Sequence, residues 1–547
     1  MNRSLKYIVL PFTFSLLALA AFAQKELPSE QVDVVKSFDA HLLETAKIDV
    51  SPGLPPLDTV TRKQTYNVIT KTTDVEYLPP SIRPLAMRGD DNQKVYQGYL
   101  KLGPGLPASL YGEASYYLNS VKNLDFGIDF KHHSANNTKK VENQRFNRNH
   151  FGATGTYYFD QGFAVNGRLG YTRNTHHFYG YNTINEEFDS SYTFVPEEVR
   201  QRFSIFDIGA SIFNGVRTEA DFNYSAGFDY YILNDNYEAR ENGFVLKISG
   251  TKWFQGQHAL RVNLTTDFTS FKTDGKQTLN NFFLNPSYAY HGDRFKAKIG
   301  VNIASHNDEF SFFPDIELSA NIVEGILGAF IGAEGSLQKN TFRNLTDYNP
   351  YLESRVPVKN THYNDFFGGI KGNIQGIDYN AQIGYKNTDD LALFLISDTL
   401  SPVVRFDPIY DTVSVFYIKG SLSAPLFKGF ELVGTLSQNV FNPKREEKAW
   451  HLPSFSVNVA AKYTTPDQKA RVTGEFFLEN GVPYRDLKGE VKNLNALFDI
   501  SAGLEYFFSE NFGGFIMINN LANNKRQRWE YYPTFGLNAL VGISARF

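Results

Sequence analysis

The sequence predicts an all-β protein, a single transmembrane antiparallel β-barrel of about 22 strands (roughly 16–22), behind a short N-terminal periplasmic extension. Three observations predict it. The chain opens on an export signal, apolar and polar residues alternate with period two along most of its length, and short turns alternate with long polar links.

The export signal occupies residues 1–23. Arg3 and Lys6 make a basic start, an apolar run extends from Tyr7 to Ala20, and Ala21-Phe22-Ala23 stands before Gln24 as a small-residue cleavage pattern. That order marks a secretory signal peptide, and the run falls short of the ~20 residues a membrane helix needs. The chain has no cysteine, which excludes lipid anchoring through a terminal cysteine and disulfide stapling alike. Mean hydropathy is −0.34, and after Ala23 no apolar run approaches helix-spanning length. Yet aromatic residues reach 15%, with 48 Phe and 32 Tyr, a composition suited to short strands that meet lipid on one face. The net charge of −4, or −6 without residues 1–23, leaves no basic surface for nucleic acid.

Successive side chains of a strand point to opposite faces, so a wall between lipid and water alternates apolar with polar. Ala220, Phe222, Tyr224, Ala226, Phe228, Tyr230 and Ile232 alternate with Asp221, Asn223, Ser225, Gly227, Asp229 and Tyr231. The same pattern runs through 124–131, 377–386 and 494–508. Full charges at strand centres would be costly in the dry core of a soluble sandwich. A polar lumen accommodates them, and closure of the barrel pairs every backbone group inside lipid. The expected lumen face carries both signs: Glu113, Asp125, Asp129, Asp229, Asp267, Glu431 and Glu505 among the acids, Lys131, Arg168, Lys247, Lys298, Lys462 and Arg471 among the bases. It reads either as a weakly selective aqueous path or as a salt-bridged wall.

Tight turns are expected near 119–123, 160–162, 214–218, 255–257, 291–294, 323–325, 375–376, 425–429, 465–469 and 509–512, and long links over 133–149, 174–202, 337–365, 387–412 and 440–453. With a first strand at 95–102 turning at 104–107, the count is even and both termini are periplasmic. In the terminal stretch Phe535, Leu537, Ala539, Val541, Ile543, Ala545 and Phe547 fall on one face, and the chain stops at that aromatic. This run resembles the β-signal that barrel-assembly machinery reads.

The stretch 518–538, INNLANNKRQRWEYYPTFGLN, resembles the last hairpin of TonB-dependent receptors: Asn519-Asn520-Leu521, a basic–aromatic loop with Trp529, Tyr532-Pro533, then Gly536 leading the final strand. GLPASLYGEASYYL, HHSANN and NPYL resemble TonB-dependent-receptor-like barrels of the Bacteroidota. The resemblance covers roughly residues 95–547 and implies a 22-stranded barrel. Members of that family carry a plug domain ahead of the barrel; residues 24–94 are too short for one and are rich in PPL, PPS and RPL segments. Val32–Lys36 is similar to a TonB box, but Val35, Phe38, Leu42 and Ala46 keep helical spacing before Pro52-Gly53, which reads as an amphipathic helix that docks a partner or seals the pore.

No G-x-S-x-G, H-E-x-x-H or P-loop occurs. His132-His133 and His176-His177 point to opposite faces as neighbours on a strand and read as loop or lumen-rim surface. Asp90-Asp91-Asn92 and Asn234-Asp235-Asn236 lack the spacing of a calcium loop and read as solvated links. No catalytic, metal or cofactor residues are assigned. The expected role is a plugless, membrane-spanning subunit of an envelope transport or assembly complex, bordered by outer-membrane lipids and reaching a periplasmic or lipoprotein partner. A free-standing channel or uptake receptor is the alternative, with a barrel enzyme behind both.

Overall fold

In a computed structural model of the protein, residues 96–216, 218–306, 309–398 and 400–547 are described. The signal peptide, the extension 24–94 with Val35, Phe38, Leu42 and Ala46, and Asp90-Asp91-Asn92 lie outside the described residues.

Twenty-two antiparallel strands form one sheet that closes on itself. They are β1 (Gly98–Leu106), β2 (Ser109–Val121), β3 (Leu124–Asn136), β4 (Arg145–Tyr158), β5 (Phe163–His177), β6 (Arg200–Asn214), β7 (Phe222–Asn234), β8 (Arg240–Phe254), β9 (His258–Lys272), β10 (Lys276–His291) and β11 (Phe295–His306). The second half holds β12 (Glu309–Val323), β13 (Leu327–Asn340), β14 (Lys359–Ile374), β15 (Ile377–Ile396), β16 (Phe406–Phe427), β17 (Phe430–Pro443), β18 (Phe455–Thr464), β19 (Ala470–Asn480), β22 (Leu497–Phe507), β23 (Phe512–Asn519) and β26 (Asn538–Arg546). Two small hairpins sit in loops: β20 (Pro483–Arg485) with β21 (Val491–Asn493), and β24 (Gln527–Trp529) with β25 (Tyr532–Pro533). Helix α1 (Tyr181–Phe188) lies between β5 and β6, and α2 (Phe342–Tyr348) between β13 and β14.

Each barrel strand pairs with the next, and β1 pairs with β26. At the seam the Gly98 N–H donates to the Phe547 carbonyl at 2.7 Å and the Phe547 N–H to the Gly98 carbonyl at 3.0 Å. Closure leaves no sheet edge in a layer that offers no hydrogen bonds. The seam is narrow: a Cβ on Gly103 would strike the Val541 carbonyl, and one on Gly542 the Leu102 carbonyl.

The outer face is apolar as the alternation predicts. Phe222, Phe228 and Val541 are exposed there, while Asp229 lies on the opposite face among Arg168 and Lys247. Asp221 departs from expectation. It lies in the turn before β7 at φ 49°, because the Thr218 carbonyl accepts its N–H at 2.9 Å and starts the strand one residue later. The turns read from the sequence fall between strands on one rim. The first hairpin differs: β1 continues through Leu106 and turns at 107–108.

On the other rim the strands run further than the sequence suggests. The expected link 387–412 is largely the upper part of β15 and β16, which are 20 and 22 residues long, where about 9–11 suffice to cross a bilayer. Asp389-Asp390 reads as a loop but forms a bulge: the register shifts between Thr388 and Leu391, with Asp390 at φ 55°. The expected link 133–149 likewise shrinks to 137–144. Beyond the lipid layer a strand needs no apolar outer face, so its alternation fades.

In the terminal strand Ala539, Val541, Ile543 and Ala545 share the outward face, with exposed Leu537 just ahead and exposed Phe547 at the end. Phe535 does not join them. It lies in the preceding loop, edge-on to Phe146 at 5.4 Å, where its carbonyl accepts from Asn520 Nδ2 at 2.9 Å.

These faces set the first expectation. Phe228→Arg or Val541→Arg should lower unfolding stability in lipid by about 2–4 kcal/mol, and Asn538→Thr should change it by far less. Equal losses in denaturant titrations of vesicle-inserted protein would contradict the register.

A candidate gate built from loops

The inner face changes character toward the long-loop rim. Phe203, Ile205, Leu233, Phe271 and Leu279 point inward there and are buried, although the opposite face of their strands is also apolar. Loop residues Phe178, Tyr179, Tyr181, Val199, Leu345, Leu352 and Trp529 join them in one continuous core. The loops therefore fold into the barrel mouth and pack on its wall.

Three tyrosines define the centre of this cap. Tyr351 stacks on Tyr532 with ring centroids 3.6 Å apart, and Tyr179 meets Tyr532 edge-on at 5.1 Å. Their hydroxyls form a chain: Tyr351 donates to Tyr179 at 3.3 Å, and Tyr179 donates to the Pro533 carbonyl at 2.9 Å. Tyr532 donates to the Val404 carbonyl. These residues come from the loops after β5, β13 and β23, which leave the ring about a third of its circumference apart. Segments so placed meet only over the lumen.

Buried carboxylates hold the loops in position. Glu241 of β8 is fully buried; it accepts from the Phe342 N–H at 2.7 Å, the Arg343 N–H at 3.1 Å and the Tyr231 hydroxyl at 2.8 Å. It thereby fixes the start of α2, whose Thr341 cap accepts from the Asn344 N–H. Arg343 then reaches Asp207 on β6 at 2.6 Å. Asp411 on β16 does the same for the loop after β17, accepting from the Arg445 and Glu446 N–H groups at 3.0 and 2.8 Å.

The loop carrying β24 and β25 is tied on several sides through Arg528. Its guanidinium lies 2.7 Å from Glu479 of β19, donates to the Tyr348 hydroxyl of α2 at 3.0 Å and reaches the His451 carbonyl at 3.4 Å. His451 is fully buried and stacks on Trp529 at 5.1 Å. Its Nδ1 donates to the Phe394 carbonyl at 2.9 Å and its Nε2 accepts from the Glu530 N–H, an arrangement that requires the neutral ring. Burial, with Arg528 nearby, lowers its pKa to about 3. Glu530 is also buried, its Oε2 has no hydrogen-bond partner, and burial with neighbouring Asp486 pushes its pKa up to about 9.

Below the cap the wall is polar and partly salt-bridged. Asp229 bridges Arg168 and Lys247, Lys298 meets Asp315 at 2.6 Å, Lys462 meets Glu431 at 3.4 Å, and Arg471 meets Glu505 at 3.4 Å. Two expectations are corrected here. His176-His177 is buried rather than rim surface, because the loop folds over the end of β5. Asp235 is no solvated link: its carboxylate accepts from the Tyr237 and Ala239 N–H groups at 2.8 Å and from Ser354 and Gln201. The cap residues Glu241, Arg528, His451 and Glu530 were missed. The available signal was apolar character on both strand faces, as in Phe203–Ile208 and Leu391–Ile396.

No family model matches the chain, and no curated protein matches it. Solved structures do. The ferric-catecholate import receptor Fiu of E. coli K12 and the siderophore receptor PiuA of Acinetobacter baumannii each superpose with a TM-score of 0.61 at 8% identity, over 83% of this chain and 82% of theirs. The ferripyoverdine receptor of Pseudomonas aeruginosa, bound to ferripyoverdine, gives 0.58 at 10% identity over 83% of this chain and 72% of its own. At such identity the likeness establishes the fold alone, a closed 22-stranded antiparallel β-barrel.

Two of the buried titratable groups, Glu530 and His451, make the stability of the loop 520–537 depend on pH. Glu530 titrates near 4.5 when free and near 9 in place, so cap stability falls by up to about 1.4 kcal/mol per pH unit between those values. His451 acts oppositely: stability falls as pH drops from 6.5 toward about 3. Hydrogen exchange across 520–537, corrected for intrinsic rates, should rise from pH 6 to pH 8, and Glu530→Gln should flatten that rise. An unchanged slope in the variant would contradict the assignment.

Proposed function

We propose that this protein is a gated transport barrel of the outer membrane, held shut by its own loops until a ligand or partner displaces them. The supporting observation is the meeting of Tyr179, Tyr351 and Tyr532 over the lumen. Inward side chains fill a barrel of about eight strands, whereas one of about 22 leaves a lumen that something else must occlude. A cap with its own buried core serves that purpose, which favours opening on demand over a permanently open passive channel. Transport, rather than catalysis, is the activity it suits. The neighbours named above import a ferric catecholate or hold ferripyoverdine, so a ferric chelate is the first substrate class we infer.

Residues 24–94 are too short for a plug domain, and Val35, Phe38, Leu42 and Ala46 suit a partner-docking or pore-sealing helix on a proline-rich tether. We infer a plugless, membrane-spanning subunit of an envelope transport or assembly complex, with the short turns and both termini periplasmic. Its terminal run Leu537–Phe547 serves as the signal for the barrel-assembly machinery.

Planar-bilayer conductance of the full chain tests the gate. The native protein should show low conductance, and Arg528→Ala with Tyr351→Ala should raise it several-fold. Deleting 24–51 should release a co-purifying protein if that segment docks a partner. Native conductance already at the level of the double variant would contradict the gate.

A further inference from the structure

The loop rim has a notch at the seam. The hairpin joining β1 and β2 turns within residues 107–108, whereas the chain continues past β3 and ahead of β26 into longer loops on either side. A cavity of about 710 Å³ lies in this notch. Its floor is apolar and faces outward: Leu106 and Leu537 are 72% and 51% exposed, continuing the lipid-facing row of Leu100 and Leu102. Its sides carry three lysines, Lys139 and Lys140 from the loop after β3 and Lys525 from the loop before β26. No acidic residue lines it, and all three lysines are exposed without an ion-pair partner among the described residues. Lys525 is positioned: the Asn523 side chain accepts the Leu537 N–H at 2.9 Å, and a Cβ on Gly536 would lie 3.4 Å from the Lys525 Cε, so the stem rests on a glycine.

Cations above exposed leucines, at the height where a membrane wall meets water, match a molecule with a phosphate head and an apolar tail. A free phosphate would leave the leucines unused, and an apolar peptide would leave the charges unused. We propose that this notch binds a phosphorylated, acylated lipid of the leaflet at the loop rim, with its phosphate on Lys139, Lys140 and Lys525 and an acyl chain along Leu106 and Leu537. The notch faces outward, away from the tyrosine cluster, but shares the loop 520–537 with the cap through Lys525.

The test uses the full chain in phosphatidylcholine–detergent micelles, titrated with a fluorescent bis-phosphorylated lipid A. Lys139→Ala/Lys140→Ala/Lys525→Ala should bind it at least ten-fold more weakly while retaining phosphatidylcholine unchanged, and Leu106→Ser/Leu537→Ser should also weaken it. Heat-modifiability on gels reports whether each variant is folded. Molar salt should release the probe from the native protein, which tests the charge contribution without any variant. Equal binding by the folded lysine variant, or salt-insensitive binding by the native protein, would overturn the proposal. Displacement by millimolar inorganic phosphate with no effect of the leucine changes would assign the notch to free phosphate instead and overturn the lipid.

Discussion

Inside a bilayer no water is available to a backbone N–H or carbonyl, and every other feature of this molecule follows from that constraint. A sheet meets it only by closing, and here the closure is the β1–β26 seam, where Gly98 and Phe547 exchange hydrogen bonds. Glycines at 103 and 542 let the two backbones approach. Outward residues must then be apolar, and inward residues are released to be polar.

A ring of this size creates a second requirement. Its inward side chains reach too short a distance to occupy the lumen, so occlusion must come from elsewhere. The loops supply it by building a small globular core inside the mouth, with its own aromatic centre and capped helix. Such a core carries polar backbone into a buried place, and Glu241 and Asp411 satisfy it from the wall at hydrogen-bond distance. The loop core packs on the wall in one continuous apolar cluster, and charged groups of the wall staple it there. The unpartnered Glu530 oxygen lies in the loop that Arg528 ties to its neighbours, and the neutral His451 lies in one of those neighbours, the loop after β17.

The barrel was legible because its cause is periodic. Phe222 and Phe228 follow a rule that acts on every second residue, and the short turns punctuate it. The rule stops where lipid stops, which is why Asp389-Asp390 passed for a loop and the long tops of β15 and β16 went unread. Phe535 misled for a related reason: its parity fits the final strand, but the Asn520 amide holds its carbonyl in the loop. The cap depends on contacts between segments hundreds of residues apart, such as Tyr179 with Tyr532, which no local spacing encodes. Only the stretches that are apolar on both strand faces, Phe203–Ile208 and Leu391–Ile396, left a trace in the chain.

The central claim is that loops close the mouth, and the absence of cysteine from the chain makes it directly measurable. Val433 faces the lumen near the short-turn rim and is 48% exposed, while Leu400 in a long loop is 92% exposed. In intact cells a membrane-impermeant thiol reagent should label Leu400→Cys quickly and Val433→Cys slowly, and adding Arg528→Ala and Tyr351→Ala should bring the Val433→Cys rate close to that of the loop site. Rapid labelling of Val433→Cys with the cap intact would contradict the account.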